Sequence, residues 1–316
     1  MASGCIKPAA GGRMPPEAAL LGLDWGTTSL RGYLIGADGS VLAERSAEAG
    51  ILQVRNGAFA EALSDLAGDW LASDSTLPII ASGMIGSRQG WVEVPYVDLP
   101  ADAGGLTLYS HDGFDRPIYF IPGLTVRDGG GVPDVMRGEE TQIIGAGGLA
   151  LQDGLYLLPG SHSKWAEVKD GNIIWFTTFM TGELFAALKG HTILGRMMMG
   201  EADDDVSFRR GVNYGQGAGG TLQRLFSART LALFGELPET GVADYLSGLL
   251  IGAEIAEARA LVQNPGSMIM IIGNPDLSRH YLAALSISGW PAEIAPAGAT
   301  ARGHWRIARA AGLLPR

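Results

Sequence analysis

A chain of 316 residues, 47% of them hydrophobic, is long enough for two domains with cores of their own and has the composition of a soluble globular protein. Its net charge of −10 excludes the broad basic face that a nucleic-acid binder needs, and no apolar run reaches the ~18 residues of a membrane span. The one cysteine, Cys5, leaves no disulfide framework or cysteine-built metal site within the chain, which suits a reducing cytoplasm.

The opening 1–19 is expected to be a flexible lead-in. It is small-residue and Pro/Gly-rich, lacks the apolar core of a secretory signal, and holds Met14 as an alternative start. Leu20 to Asp24 then reads as an apolar strand, broken tightly by Gly26-Thr27-Thr28-Ser29 and resumed from Leu30 to Ile35. Asp38-Gly39 is a hairpin turn, and Val41 starts a third strand. Ala58 to Leu71 has helical spacing, Leu77 to Ala81 and Ile118 to Ile121 are buried strands, and Glu139 to Leu149 is a helix.

The opening design then recurs. Strands at Leu155 to Leu158, Trp165 to Val168 and Ile173 to Phe176 are separated by Gly160-Ser161-His162-Ser163 and by an Asp170-Gly171 turn. This pattern predicts a diverged internal duplication, each half opening on a β-meander. Helices are expected at Leu184 to Leu188, Gly220 to Phe234 and Val242 to Val262. An apolar strand from Met268 to Ile272 precedes Gly273-Asn274-Pro275-Asp276 and a further helix. Strands alternating with helices make this an α/β protein with mixed sheets. Two domains are expected, 20–150 and 151–316.

Asp24-Trp25-Gly26-Thr27-Thr28-Ser29-Leu30-Arg31 is the richest segment for chemistry. Glycine admits close backbone approach, hydroxyls and consecutive N–H groups form an anion nest, and Asp24 at a strand end can hold Mg²⁺ through water. Arg31 adds a nearby cation. An ordinary hairpin with a capping aspartate would look similar. Only four lysines are present, Lys7, Lys164, Lys169 and Lys189, so most positive charge is arginine, the better fork for carboxylate and phosphate.

The segment from Asp24 to Arg31 resembles the first phosphate loop of the actin/hexokinase superfamily. Pro159-Gly160-Ser161-His162-Ser163-Lys164 falls where the second phosphate loop would be, without that loop's aspartate, and Gly273-Asn274 where the adenosine loop would be. The resemblance implies two ribonuclease H-like lobes with an active-site cleft between them. Further strings narrow the family: Met84-Ile85-Gly86-Ser87 through Gly90-Trp91, Pro95-Tyr96, Met136-Arg137-Gly138-Glu139-Glu140-Thr141-Gln142, Met180-Thr181-Gly182-Glu183-Leu184, and Leu246 to Glu254. Together they resemble the 2-dehydro-3-deoxygalactonokinase family. That family implies ATP-dependent phosphorylation of the C6 hydroxyl of 2-dehydro-3-deoxy-D-galactonate in galactonate catabolism, with the product passing to an aldolase. A phosphatase or polyphosphate hydrolase of the same superfamily, and a non-catalytic nucleotide-binding regulator, are the alternatives.

Expected roles follow from that chemistry. Phosphoryl transfer needs positioning, charge neutralisation and a group that takes or orients the attacking hydroxyl. Glu139 is the first choice as base, Glu140 the second and Asp24 the competitor, although acidic residues also favour a helix's first turn for dipole reasons. Gly26, Thr27, Thr28, Ser29, Arg31, Gly160, Ser161, His162, Lys164, Gly273 and Asn274 are expected at ATP and its phosphates. Gly50, Ser87, Arg88, Trp91 and Arg137 are expected at the sugar acid, with two alternatives open: Arg88 as a solvated loop residue and Arg137 paired structurally with Glu139. The partners are ATP with Mg²⁺ and a small sugar acid, with no nucleic acid and no membrane; self-association is left open.

Other signals do not hold. Gly215-Gln216-Gly217-Ala218-Gly219-Gly220 fits a dinucleotide fingerprint but lacks a preceding strand. There is no P-loop string and no nucleophile elbow. The five histidines are scattered, which argues against a zinc site. Gly248 and Gly252 predict close helix packing rather than membrane association.

Overall fold

A computed structural model describes residues 17–147, 151–200, 203–262 and 266–315. Most of the expected lead-in, including Cys5 and Met14, lies outside the described residues, as does the end of the helix expected to run to Leu149.

In chain order the elements are β1 (Ala18–Trp25), β2 (Leu30–Gly36), β3 (Val41–Ala47), α1 (Phe59–Ser73), β4 (Ile79–Ser82), β5 (Val97–Asp98), β6 (Tyr109–His111), β7 (Ile118–Phe120), β8 (Leu124–Arg127), β9 (Pro133–Met136) and α2 (Glu139–Ala146). There follow β10 (Gly154–Leu158), β11 (Ser163–Lys169), β12 (Asn172–Phe179), α3 (Thr181–His191), α4 (Asp205–Gly215), α5 (Thr221–Leu225), α6 (Ser227–Leu233), α7 (Val242–Leu261), β13 (Ile269–Ile271), α8 (Pro275–Ile287), β14 (Ala292–Ile294) and α9 (Ala299–Ala310). The chain divides into two compact units. The first holds 1–151, 171–173 and 296–316; the second holds 152–170 and 174–295. The division therefore does not follow the expected blocks 20–150 and 151–316, because the C-terminal helix returns to the first unit.

The first unit is built on a six-stranded sheet in the order β3-β2-β1-β4-β7-β6. β1 is antiparallel to β2 and parallel to β4, with Asp24 opposite Ser82. Its run Leu20–Leu23 is buried because a central strand has both faces covered. α1 presents Phe59, Leu63, Leu66, Ala67 and Trp70 at helical spacing, and these join Leu21, Leu23 and Trp25 in one core. A small sheet, β5-β8-β9, leads the chain into α2. α9 lies on α2 through glycine: a Cβ at Gly145 would run into Ala299 O, and one at Gly303 into Thr141 O.

The second unit repeats the meander followed by parallel strands, in the order β12-β11-β10-β13-β14. β10 pairs antiparallel with β11 and parallel with β13. This recurrence of sheet order is the arrangement expected of an actin/hexokinase-type α/β fold. The glycines at 248 and 252 do pack closely: a Cβ at either would meet backbone of α4, at Phe208 O and Val212 O. Gly211 and Gly215 answer them from α4. The first glycine of the apparent dinucleotide fingerprint is thus part of a helix seam.

Two helical expectations change. Gly220 to Phe234 is two short helices meeting at Phe226, and Leu184 to Leu188 is the middle of the longer α3. Among the described residues no helix is long and apolar enough to cross a membrane.

Candidate active site

In the first unit three backbone segments converge on Asp24, at the carboxyl end of β1. Gly83 follows β4 with φ +91°; a Cβ there would stand 2.9 Å from Trp25 O and 3.6 Å from Asp24 Oδ1. Gly138 precedes α2 with φ +107°, and a Cβ on it would lie 3.2 Å from Gly83 Cα. Only glycine suits either place, because both the backbone angle and the space forbid a side chain. The start of α2 is thereby pressed against the loop beside Asp24. Loops at the carboxyl ends of parallel strands are where α/β folds bind ligands.

Asp24 is partly buried, and burial raises its pKa while the Arg31 guanidinium, 3.7 Å away, opposes that shift. The following turn closes with Gly26 N–H donating to Ser29 O at 2.9 Å and leaves Thr27 and Thr28 exposed. Gly50 packs behind this turn, where a Cβ would collide with the backbone of Thr27 and Thr28. The neighbouring Ile51 and Leu52 N–H groups donate to Gly26 O and Thr27 O at 3.0 and 3.2 Å. Gly50 is therefore a brace for the turn.

At the start of α2 the adjacent carboxylates differ. Glu139 is partly exposed, and its Oε2 accepts the Arg137 N–H at 2.9 Å. Glu140 is fully buried; its Oε2 accepts the Gly138 N–H at 2.7 Å and its Oε1 the Thr141 hydroxyl at 3.0 Å. Burial, and secondarily the Glu139 charge, push the Glu140 pKa up to about 8, so it carries a proton at neutral pH.

Arg137 is buried, at 9% exposure. Its Nη2 donates to Val94 O at 2.7 Å and its guanidinium carbon lies 4.3 Å from the centre of the Tyr96 ring. Nε and Nη1 are buried without a hydrogen-bond partner, and so is the Ser87 hydroxyl. Arg88 is exposed to solvent. Trp91 sits against the core, with ring contacts to Trp25, Phe59, Phe114 and Phe120.

The second unit brings its own expected residues together. Gly182, in the first turn of α3, packs so tightly on the Gly160 turn that a Cβ would run into Gly160 O, and Glu183 N–H donates to Ser161 O at 2.9 Å. His162 Nε2 pairs with the Glu183 carboxylate. Gly273 lies beside the same turn, where a Cβ would be 3.4 Å from Pro159 O. Asn274 is an N-cap: its Oδ1 accepts from Asp276 and Leu277 N–H at 2.9 and 3.3 Å. Lys164 is buried on β11 and donates to Thr178 Oγ1 at 2.6 Å, so it is held in the sheet. A cavity of about 310 Å³ lies alongside α8, lined by Phe208, Asp244, Asp276, Arg279 and His280 among others.

Sequence reasoning missed two buried polar clusters. Glu254 on α7 accepts from Trp165 Nε1 at 2.8 Å and Tyr281 O–H at 2.6 Å, and the Tyr281 and Ser163 hydroxyls are 3.1 Å apart. Burial raises the Glu254 pKa. A carboxylate ending the apolar run Leu249 to Ala253 was the available signal. In the first unit His304 Nε2 and Ser82 Oγ are 2.8 Å apart, and burial lowers the His304 pKa to about 3.

Among the described residues no group of three His, Cys, Asp or Glu is placed to hold a metal ion. Mg²⁺ is commonly held by one or two carboxylates plus substrate phosphates rather than by a protein cage. Asp24, an incompletely neutralised carboxylate at the site, fits such a role.

The family model described as 2-keto-3-deoxy-galactonokinase matches residues 24–307. A curated relative, the 2-dehydro-3-deoxygalactonokinase of Escherichia coli (strain K12), is 35% identical, the match covering 86% of this chain and 91% of the relative. A crystal structure of a candidate 2-dehydro-3-deoxygalactonokinase from Sinorhizobium meliloti is 34% identical with a TM-score of 0.81, covering 92% of this chain and 98% of that one. The fold alone extends to component A of (R)-2-hydroxyglutaryl-CoA dehydratase from Acidaminococcus fermentans, 12% identical with a TM-score of 0.51 and coverage of 92% and 98%.

Proposed function

Since the chain belongs to the 2-keto-3-deoxy-galactonokinase family, we propose that it transfers the γ-phosphoryl group of ATP to the C6 hydroxyl of 2-dehydro-3-deoxy-D-galactonate. It is then a sugar-acid kinase of galactonate catabolism, acting in the cytoplasm and feeding an aldolase. The hydrolase and regulator alternatives are not favoured. The observation that supports the residue assignment is the close approach of Gly83 to Asp24 and of Gly138 to Gly83, in the loop that leads directly into Glu139.

Glu139 orients the attacking hydroxyl and takes its proton as the new O–P bond forms. Partial exposure keeps this carboxylate reachable, whereas Glu140 is buried, its pKa pushed up to about 8, and serves as a local anchor. The Gly26–Ser29 turn receives phosphate through its N–H and hydroxyl groups. In the second unit the Gly160 turn with α3, and the Gly273 turn, serve the nucleotide. Asp24 holds Mg²⁺, which when bound offsets phosphate charge and orients the nucleotide.

The test is ADP release in a coupled assay with and without 2-dehydro-3-deoxygalactonate. Release should depend on the acid and rise with its concentration. Release that ignores the acid would remove the kinase assignment.

A further inference from the structure

We infer that Arg137 is the residue that makes the acceptor an acid: its guanidinium takes the acceptor's carboxylate, with the Ser87 hydroxyl beside it. The inference rests on the kinase reading and deepens it. A buried guanidinium keeps its charge at any pH a protein meets, so it cannot escape desolvation by losing a proton. Buried polar groups are nearly always partnered. Arg137 breaks that rule at two of its three guanidinium nitrogens, Nε and Nη1.

Glu139 and Glu140 turn back to the N–H groups of Arg137 and Gly138. The guanidinium is nevertheless held in place, by the Val94 carbonyl through Nη2 and by the Tyr96 ring on one face. Room is kept for it: a Cβ on Gly86 would stand 3.0 Å from Nη1. The next residue, Ser87, supplies a second buried donor without a partner. A fixed cation with unpartnered N–H groups is suited to take an anion.

The acceptor's carboxylate is the anion that fits. The residue after Arg137, Gly138, approaches Gly83, which in turn approaches Asp24, in the unit to which we assign the acceptor. Exposed Arg88, in the same loop, is a weaker discriminator, because a solvated cation gains little from an anion. A desolvated one distinguishes acid from neutral analogue strongly, since the analogue leaves it unpaired.

The experiment compares the acid with its C1 carboxamide as acceptors for wild type, Arg137→Met and Arg137→Lys, and also measures the KM for ATP and the Tm of ligand-free protein. Wild type should prefer the acid by roughly 100-fold or more in kcat/KM. Arg137→Met should lose about that factor on the acid, mainly through KM, and little on the amide. Arg137→Lys should restore part of it. The ATP KM should hold, and the free Arg137→Met protein should be as heat-stable as wild type or more so, because a buried unpaired charge has gone. Retained acid preference in Arg137→Met overturns the inference. So does an equal loss on both acceptors with a lowered Tm, which marks a structural arginine, and so does a rise confined to the ATP KM, which places the guanidinium on phosphate. Failure of wild type to phosphorylate the acid at all would instead sink the kinase reading.

Discussion

The two units open on the same meander, yet they place their carboxylates in opposite ways. In the first, the strand ends in Asp24, partly open beside a hydroxyl-rich turn. In the second, the equivalent strand runs into Leu158 and Pro159, and the local carboxylate is Glu254, sealed behind the turn by Trp165 and Tyr281. The repeated scaffold thus ends beside a partly open carboxylate in one unit and a sealed one in the other. A carboxylate meant for ligands must keep an open oxygen, whereas a buried one must have its lone pairs satisfied.

That contrast can be broken by substitution. The largest stability effect is expected at Glu254. Glu254→Ala leaves the Trp165 and Tyr281 donors unpartnered and opens a cavity, so it should cost about 3 kcal/mol or more. The readout is a Tm lowered by roughly 5 °C or more. Glu254→Gln should lose less, since it keeps the shape, and Asp24→Asn should leave Tm nearly unchanged. A Glu254→Ala protein as stable as wild type would end the claim of a structural carboxylate.

A smaller effect is expected at Glu140, and it has a pH signature. Its folded pKa is about 8 against an ordinary 4.5, so between those values the folded protein keeps a proton that the unfolded chain has released. Glu140 therefore supports the fold fully below about pH 4.5, and that support is lost as pH rises through about 8. Glu140→Gln, permanently neutral, should gain Tm over wild type at pH 8 and show little difference at pH 5. Differential scanning fluorimetry across that range checks it; a gap that does not widen with pH would mean Glu140 is already ionised in the fold.

Much of this was legible in the sequence. The alternating apolar strands and Asp-Gly turns gave both meanders, because period-two burial and tight turns leave local marks. The Asp24 turn and the Gly-Glu-Glu start of α2 were marked by residue type. What was not legible depended on tertiary partners. α4 is polar overall, and what fixes it is tertiary: Phe208 and Val212 are buried in the core and Gly211 and Gly215 form the seam against α7. Lys164 looked like a phosphate ligand but is buried toward Thr178. Gly50 looked like a pocket residue but braces the Gly26–Ser29 turn, and Trp91 is partly buried against the core. Nothing local distinguishes Glu139 from Glu140; the difference lies in which one is covered.

That last difference is also the most direct place to test the central claim. Turnover of Glu139→Gln and Glu140→Gln should be compared at saturating ATP and sugar acid, with ATP binding measured separately. Glu139→Gln should lose on the order of 100-fold or more in kcat while still binding ATP, and Glu140→Gln should stay within several-fold of wild type. Equal losses, or the reverse order, would contradict the assignment of Glu139 as the base.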